Sequence, residues 1–273
     1  MTRIALFQAR SGIDPAQNMT NLVAAIEQAA AGGAAMLFTP EMSGMLDGDR
    51  QRAGQSIKSE SEDPVLAAVR HSARENGIWV QLGSLALRGS DEKFVNRAFV
   101  VDDKGEIRGR YDKIHLFDVD LPNGESWRES AVYQGGDRPE LVRGTPVGDL
   151  GLTICYDLRF PALFERLSEA GAQVISVPAA FTIPTGRAHW EILLRARAIE
   201  AGVFIVAAAQ CGDHEDGRKT YGHSLVVDPW GEVLLDAGEE GGVHFAEIDL
   251  ARIDEVRSRV PALRHRKAIG PVD

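Results

Sequence analysis

Apolar residues recur along this chain in two rhythms, short continuous or alternating runs of the strand type and spacings of three to four of the helical type. Ile4 to Ala9 predicts a strand. Asp14-Pro15 then caps a helix whose inner face carries Leu22, Ala25, Ile26 and Ala29 and which closes at Gly32-Gly33. Ala34 to Phe38 is a short apolar strand stopped by Pro40. Asp63-Pro64 opens a second helix with Val65, Leu66 and Val69 inward, ending near Gly77. Ile78 to Leu87 is again a strand, followed by a hairpin about Asp102-Asp103-Lys104-Gly105.

The second half repeats this order. Val147 to Ile154 reads as a strand ending at Cys155, and a helix runs from Pro161 to Gly171. Gln173 to Val177 is a strand, Ala188 to Ala201 a longer helix closed by Gly202, and Val203 to Ala209 another strand. A hairpin then turns about Asp228-Pro229-Trp230-Gly231. The two hairpins match in sequence, Val100-Val101-Asp102-Asp103-Lys104-Gly105-Glu106 against Val226-Val227-Asp228-Pro229-Trp230-Gly231-Glu232. Two such halves predict an α/β fold of two sheets, each with helices on one face. Their bare faces would pack into a four-layer α-β-β-α sandwich, a single domain over residues 1–273. A single doubly wound sheet fits the strand pattern as well, and no low-complexity linker divides the halves.

Composition narrows the class. Of 273 residues, 44% are hydrophobic and 26% charged, as in an ordinary globular protein. No apolar run approaches the roughly 20 residues that span a bilayer. The opening Met1-Thr2-Arg3-Ile4 turns polar too soon for a secretory signal, so no membrane partner is expected. Two cysteines, Cys155 and Cys211, make no disulfide framework and point to the cytoplasm. A net charge of −10 argues against nucleic acid as a partner. The basic cluster Arg264-His265-Arg266-Lys267 belongs to a tail of about 253–273 that is solvated or in subunit contacts.

Three strand ends carry candidate chemistry. Glu41 follows an apolar strand, Lys113 follows the hairpin strand, and Cys155 sits between a strand end and a helix start. In α/β sheets ligands gather beyond such carboxyl ends. A thiol there should feel the positive end of the helix, which lowers its pKa. A carboxylate can serve as its base, and an ammonium can hold the oxyanion of an acyl-transfer intermediate. Taken singly, each residue is equally well a packed or solvated side chain.

The segments Phe38-Thr39-Pro40-Glu41, Tyr111-Asp112-Lys113-Ile114-His115-Leu116-Phe117-Asp118 and Cys155-Tyr156-Asp157-Leu158-Arg159-Phe160-Pro161 resemble the Glu-Lys-Cys motifs of the nitrilase superfamily of carbon–nitrogen hydrolases. They occur in the family's order, over nearly the whole chain. The resemblance implies the α-β-β-α sandwich, assembly into homodimers or larger homo-oligomers, and a small-molecule amide as substrate with no cofactor. It makes Cys155 the nucleophile and Glu41 the base, with Lys113 and the N–H of Tyr156 holding the oxyanion. It adds a second glutamate, matching Glu129 in Trp127-Arg128-Glu129-Ser130, with Glu125 as the rival position.

Gly186-Arg187-Ala188-His189-Trp190-Glu191 with the helix that follows, Ala207-Ala208-Ala209-Gln210-Cys211-Gly212 and Tyr221-Gly222-His223-Ser224 are similar to the deaminated glutathione amidase and ω-amidase branch, which cleaves amides of dicarboxylates. Arg187, just before the predicted helix where these relatives carry proline, and Arg159 are candidate carboxylate-binding residues. Arg159 also reads as a buried ion-pair partner of Glu41 or Glu165. Nitrile hydrolysis, N-carbamoyl amide hydrolysis and N-acyl transfer use the same triad and stand as alternatives. His189 has no companion at zinc-like spacing, so no metal is expected. Trp190, Leu193 and Leu194 read as core or interface, Cys211 as a packed residue, and Glu191 with Arg195 as a helix-surface pair.

Overall fold

The structure is a computed structural model and describes residues 1–89, 93–120, 124 and 126–271. In chain order, the first half contains β1 (Thr2–Gln8), α1 (Pro15–Ala31), β2 (Met36–Phe38), α2 (Arg50–Ser56), α3 (Pro64–Asn76), β3 (Trp79–Arg88), β4 (Phe94–Val101) and β5 (Ile107–Asp112). A ribbon of β6 (Asp118–Asp120) and β7 (Ser126–Arg128) and a short β8 (Tyr133–Gln134) follow. The second half has β9 (Glu140–Thr145), β10 (Gly148–Leu152), α4 (Pro161–Glu169), β11 (Val174–Ser176), α5 (Ile183–Ala201) and β12 (Phe204–Ala207). It continues with β13 (Cys211–Asp213), β14 (Lys219–Tyr221), β15 (Leu225–Val227), β16 (Val233–Asp236), β17 (Gly242–Ile248) and α6 (Ala251–Arg259).

The two large sheets have corresponding orders, β17-β1-β2-β3-β4-β5 and β9-β10-β11-β12-β15-β16. The three central strands of each run parallel to one another, and antiparallel strands flank them. The α-β-β-α sandwich is therefore the architecture, and the single doubly wound sheet is not. Both faces of the strands are covered, which is why they read as continuous apolar runs. Met36 and Phe38 join the packing against the second sheet, whereas Leu37 between them packs with Leu22 and Ile26 of α1 and Val65 and Val69 of α3.

Local chemistry sets the element ends. The Asp14 carboxylate accepts the N–H of Ala16 and that of Asp63 the N–H of Leu66, capping α1 and α3. The matched hairpins close identically. The Asp102 carboxylate accepts the N–H groups of Lys104 and Glu106, and Asp228 those of Trp230 and Glu232. Gly105 and Gly231 complete the turns at φ 77° and 87°, which glycine alone adopts without strain.

Three features depart from the expectations. The first sheet takes its edge strand from the far end of the chain, with β17 antiparallel to β1 and Thr2 opposite Ile248. The short helix α2, capped by Asp49, was not expected. Helix α5 begins at Ile183 rather than Ala188, because Pro184 lies in its first turn, where a missing N–H is harmless. Arg187 thus lies inside the helix, and its side chain is exposed. The tail packs partly on its own chain: α6 buries Ile253 and Val256, and Arg266 reaches Glu165 at 3.4 Å. Among the described residues, no helix is long and apolar enough to cross a membrane.

Candidate active site

Glu41, Lys113 and Cys155 meet at one end of the sandwich, each just past a strand of a different sheet region. Lys113 prolongs the β4–β5 ladder by one residue, its N–H donating to the Asn96 carbonyl at 2.9 Å. Glu41 stands beyond β2 in a segment held closely against β3. A Cβ on Gly83 would overlap the carbonyl oxygens of Thr39 and Pro40, so only glycine admits this approach. The Gln210 side-chain amide donates to the Glu41 carbonyl at 2.9 Å, tying the segment to the second half. Cys155 opens a 3₁₀ turn over Cys155–Arg159 and has φ 50°, a strained value for a non-glycine residue.

These side chains form one buried network. Lys113 Nζ donates to Glu41 Oε1 at 2.9 Å and to Glu129 Oε1 and Oε2 at 3.1 and 2.9 Å. Glu129 Oε2 also accepts the N–H of Phe117 at 2.6 Å. Burial works to lower the Lys113 pKa, but the Glu129 and Glu41 carboxylates outweigh it and hold the ammonium well above its ordinary value. Glu129 is thus the described glutamate that meets Lys113, and Glu125 lies outside the described residues.

The expected lowering of the Cys155 pKa is not found. Burial and the adjacent Glu41 carboxylate push the thiol up, against the pull of Lys113. The helix expected to stabilise a thiolate, α4, starts only at Pro161, beyond the 3₁₀ turn.

The nucleophile turn is locked by Asp157, a residue whose role the motif alone does not announce. Its fully buried carboxylate accepts from the Tyr111 hydroxyl at 2.7 Å, the Ile154 N–H at 2.8 Å and the His115 N–H at 3.0 Å. The His115 Nδ1 lies 2.7 Å from it, and the imidazole stacks on Phe160 with ring centres 3.6 Å apart. One carboxylate thereby fastens the Cys155 turn to the segment carrying Lys113. Within the turn, Cys155 donates its N–H to Pro178 and Asp157 to Ile154. Among the described residues, the Tyr156 N–H between them meets no acceptor.

A cavity of about 320 Å³ opens above the network. Glu41, Lys113, Glu129 and Cys155 form its floor, and Phe117, Trp127, Tyr156 and Phe181 are among its walls. Arg159 lines it but makes neither ion pair expected of it, since Glu41 is taken by Lys113 and Glu165 by Arg266. Its guanidinium lies over the Tyr156 and Phe181 rings and 3.3 Å from His189. Arg187 does not line the cavity, because its place in α5 turns it to solvent. Arg50 does line it; its position on the unforeseen α2 kept it from being recognised in the sequence. The packed readings fit: Trp190 is buried against Phe181, Cys211 is buried, and Arg195 pairs with Glu191 at 3.1 Å.

An α-β-β-α sandwich with a thiol, a carboxylate and an ammonium converging on one cavity defines a class of enzymes that act on carbon–nitrogen bonds. The chain belongs to the carbon–nitrogen hydrolase family, whose sequence pattern it matches over residues 3–258, within the nitrilase superfamily. It is an amidase, a hydrolase of carbon–nitrogen bonds in amides. It is 40% identical to a deaminated glutathione amidase of Yersinia enterocolitica, covering 98% of this chain and 93% of that protein. It is 38% identical to the deaminated glutathione amidase of Homo sapiens, covering 97% and 82% respectively. The crystal structure of the C. elegans NitFhit protein superposes with a TM-score of 0.89 at 38% identity, over 97% of this chain and 65% of that one. A mutant amidase from Nesterenkonia sp. AN1, with acrylamide added to its active-site cysteine, superposes with a TM-score of 0.79 at 29% identity, over 96% and 98%.

Proposed function

We propose that this amidase cleaves a small carboxylate- or dicarboxylate-bearing amide through an acyl-thioester on Cys155, with deaminated glutathione or a related ω-amide as substrate. The observation that carries this reading is the convergence of Glu41, Lys113 and Cys155 on one cavity, with Lys113 Nζ 2.9 Å from the Glu41 carboxylate. As the sulfur bonds to the amide carbon, its proton passes to Glu41. The cluster therefore gains no net charge when the carbonyl oxygen becomes an oxyanion. Lys113, now facing a neutral Glu41, turns its charge to that oxyanion together with the unengaged Tyr156 N–H. Breaking the carbon–nitrogen bond takes the proton from Glu41 to the leaving amine. Water then attacks the thioester, Glu41 takes its proton, and the proton returns to sulfur as the acid leaves. Glu129 keeps Lys113 in place throughout.

The substrate class is supported by the names of the relatives and by Arg159, a cavity cation with no carboxylate partner among the described residues. The same reading gives a cofactor-free enzyme of one domain working in the cytoplasm as a homodimer or larger assembly. Self-association is supported by Ile192, Ile199 and Trp230, which stand 69%, 54% and 51% exposed. Rates on deaminated glutathione and 2-oxoglutaramate, measured side by side with Cys155→Ala as control, test the proposal. Turnover of the first, an acyl mass on Cys155 and a folded but inactive Cys155→Ala are expected. Residual activity in that variant would rule out the covalent route.

A further inference from the structure

Asn96 is buried in β4, and its side chain turns to two glutamates of the candidate site rather than to a strand neighbour. Its Nδ2 donates to Glu41 Oε1 at 2.9 Å and to Glu129 Oε1 at 3.3 Å, the same two oxygens that Lys113 engages. The amide presents nitrogen to two carboxylates, and its own Oδ1 is left buried with no partner among the described residues. An orphaned acceptor in a protein interior is unfavourable and calls for a compensating role.

Two donors, Asn96 and Lys113, converge on Glu41 Oε1, whereas Oε2 accepts the Ala180 N–H at 3.1 Å. Ala180 lies two residues beyond Pro178, whose carbonyl accepts the Cys155 N–H, and lines the cavity beside Cys155, which puts Oε2 on the thiol's side. We propose that Asn96 is a positioning residue that saturates Oε1 and so confines the travelling proton of the general base to Oε2, the oxygen facing thiol and leaving amine. It also sets a neutral donor between the Glu41 and Glu129 carboxylates. The proposal rests on Glu41 acting as base. The ionisable groups facing this carboxylate are Lys113 after β5, Glu129 and Cys155 in their turns, and Tyr133 on β8, with Arg218 near Tyr133.

The test compares wild type with Asn96→Ala and the isosteric Asn96→Asp. Two pH profiles are recorded: kcat/KM on an amide, and the rate at which iodoacetamide alkylates Cys155 without substrate. Removing a donor disfavours the charged form of a carboxylate, so the acidic limb of both profiles should move up by about half to one pH unit in Asn96→Ala. At pH 7, kcat should fall about tenfold while KM changes little. Asn96→Asp, which replaces the donor by a third carboxylate, should shift the limb further. A loss of rate that is uniform across pH in either folded variant, with both limbs unmoved, would overturn the role. The alkylation profile needs no substrate, so a wrong substrate assignment would void the turnover arm and leave this one standing.

Discussion

At the scale of single residues, the site balances two carboxylates, buried Glu41 and half-buried Glu129, against one ammonium. Lys113→Met should therefore do two separable things. Loss of an oxyanion donor lowers kcat by about 10²-fold or more. The carboxylates left unpaired also destabilise the fold by about 3–5 kcal/mol. Adding Glu129→Gln should restore much of the stability and none of the rate, read by denaturant unfolding and steady-state kinetics. Recovery of both together would mean that Lys113 acts only as a structural charge. A second contrast separates the two arginines: Arg159 lines the cavity and Arg187 is turned to solvent. Arg159→Ala should raise KM for carboxylate-bearing amides about tenfold or more with a smaller change in kcat, and Arg187→Ala should leave both near wild type. The opposite ranking would return Arg187 to the substrate.

The motifs made Glu41, Lys113 and Cys155 visible because each follows a strand end in a long recognisable segment. Asn96 and Asp157 stayed hidden for a physical reason. Their importance lies in what they touch across the sandwich, and hydrogen-bond partners 42 to 55 residues away leave no periodic trace. The raised pKa of the thiol was equally invisible, because burial is its main cause and burial has no counterpart in sequence order.

At the scale of elements, most strands and helices were legible from caps and turn chemistry, and their errors sit at ends. The helix expected from Ala188 starts at Ile183, with Pro184 in its first turn. The close approach of β3 to the Glu41 segment gives a sharper test. Gly83→Ala adds one methyl group against the carbonyls of Thr39 and Pro40, where backbone rather than a flexible side chain must yield. Overpacking of this kind costs about 1–3 kcal/mol. The expected result is a folded protein with a lowered melting temperature and kcat/KM reduced by about 10²-fold or more, since the base moves with its segment. Wild-type rates in a merely destabilised variant would show that the position of Glu41 tolerates that shift.

At the scale of the whole molecule, the repeated halves explain why the sandwich could be read at all, and the exposed apolar residues of α5 and the second hairpin bear on assembly. Ile192 reaches outward from the helix layer with little of its side chain covered. Changing it to aspartate should scarcely alter a folded single chain yet should break a copy-to-copy contact. Sedimentation should give at least a dimer for wild type and a smaller species for Ile192→Asp. A wild type sedimenting as one chain would remove the assembly proposal.

The pairing of β1 with β17 has a consequence for how the protein is made. Residues 2 and 248 face each other across one ladder, so β1 leaves the ribosome long before the strand it pairs with. Through most of translation β1 has an open edge, a template for stray pairing with other nascent chains. The candidate site, by contrast, draws its lining from segments up to Thr220, well before β17. The second sheet can close on its own neighbours while the first stays unfinished. Slow synthesis of the segment that carries β17, or its loss, would thus leave a chain whose chemistry is nearly assembled and whose oldest edge is still bare.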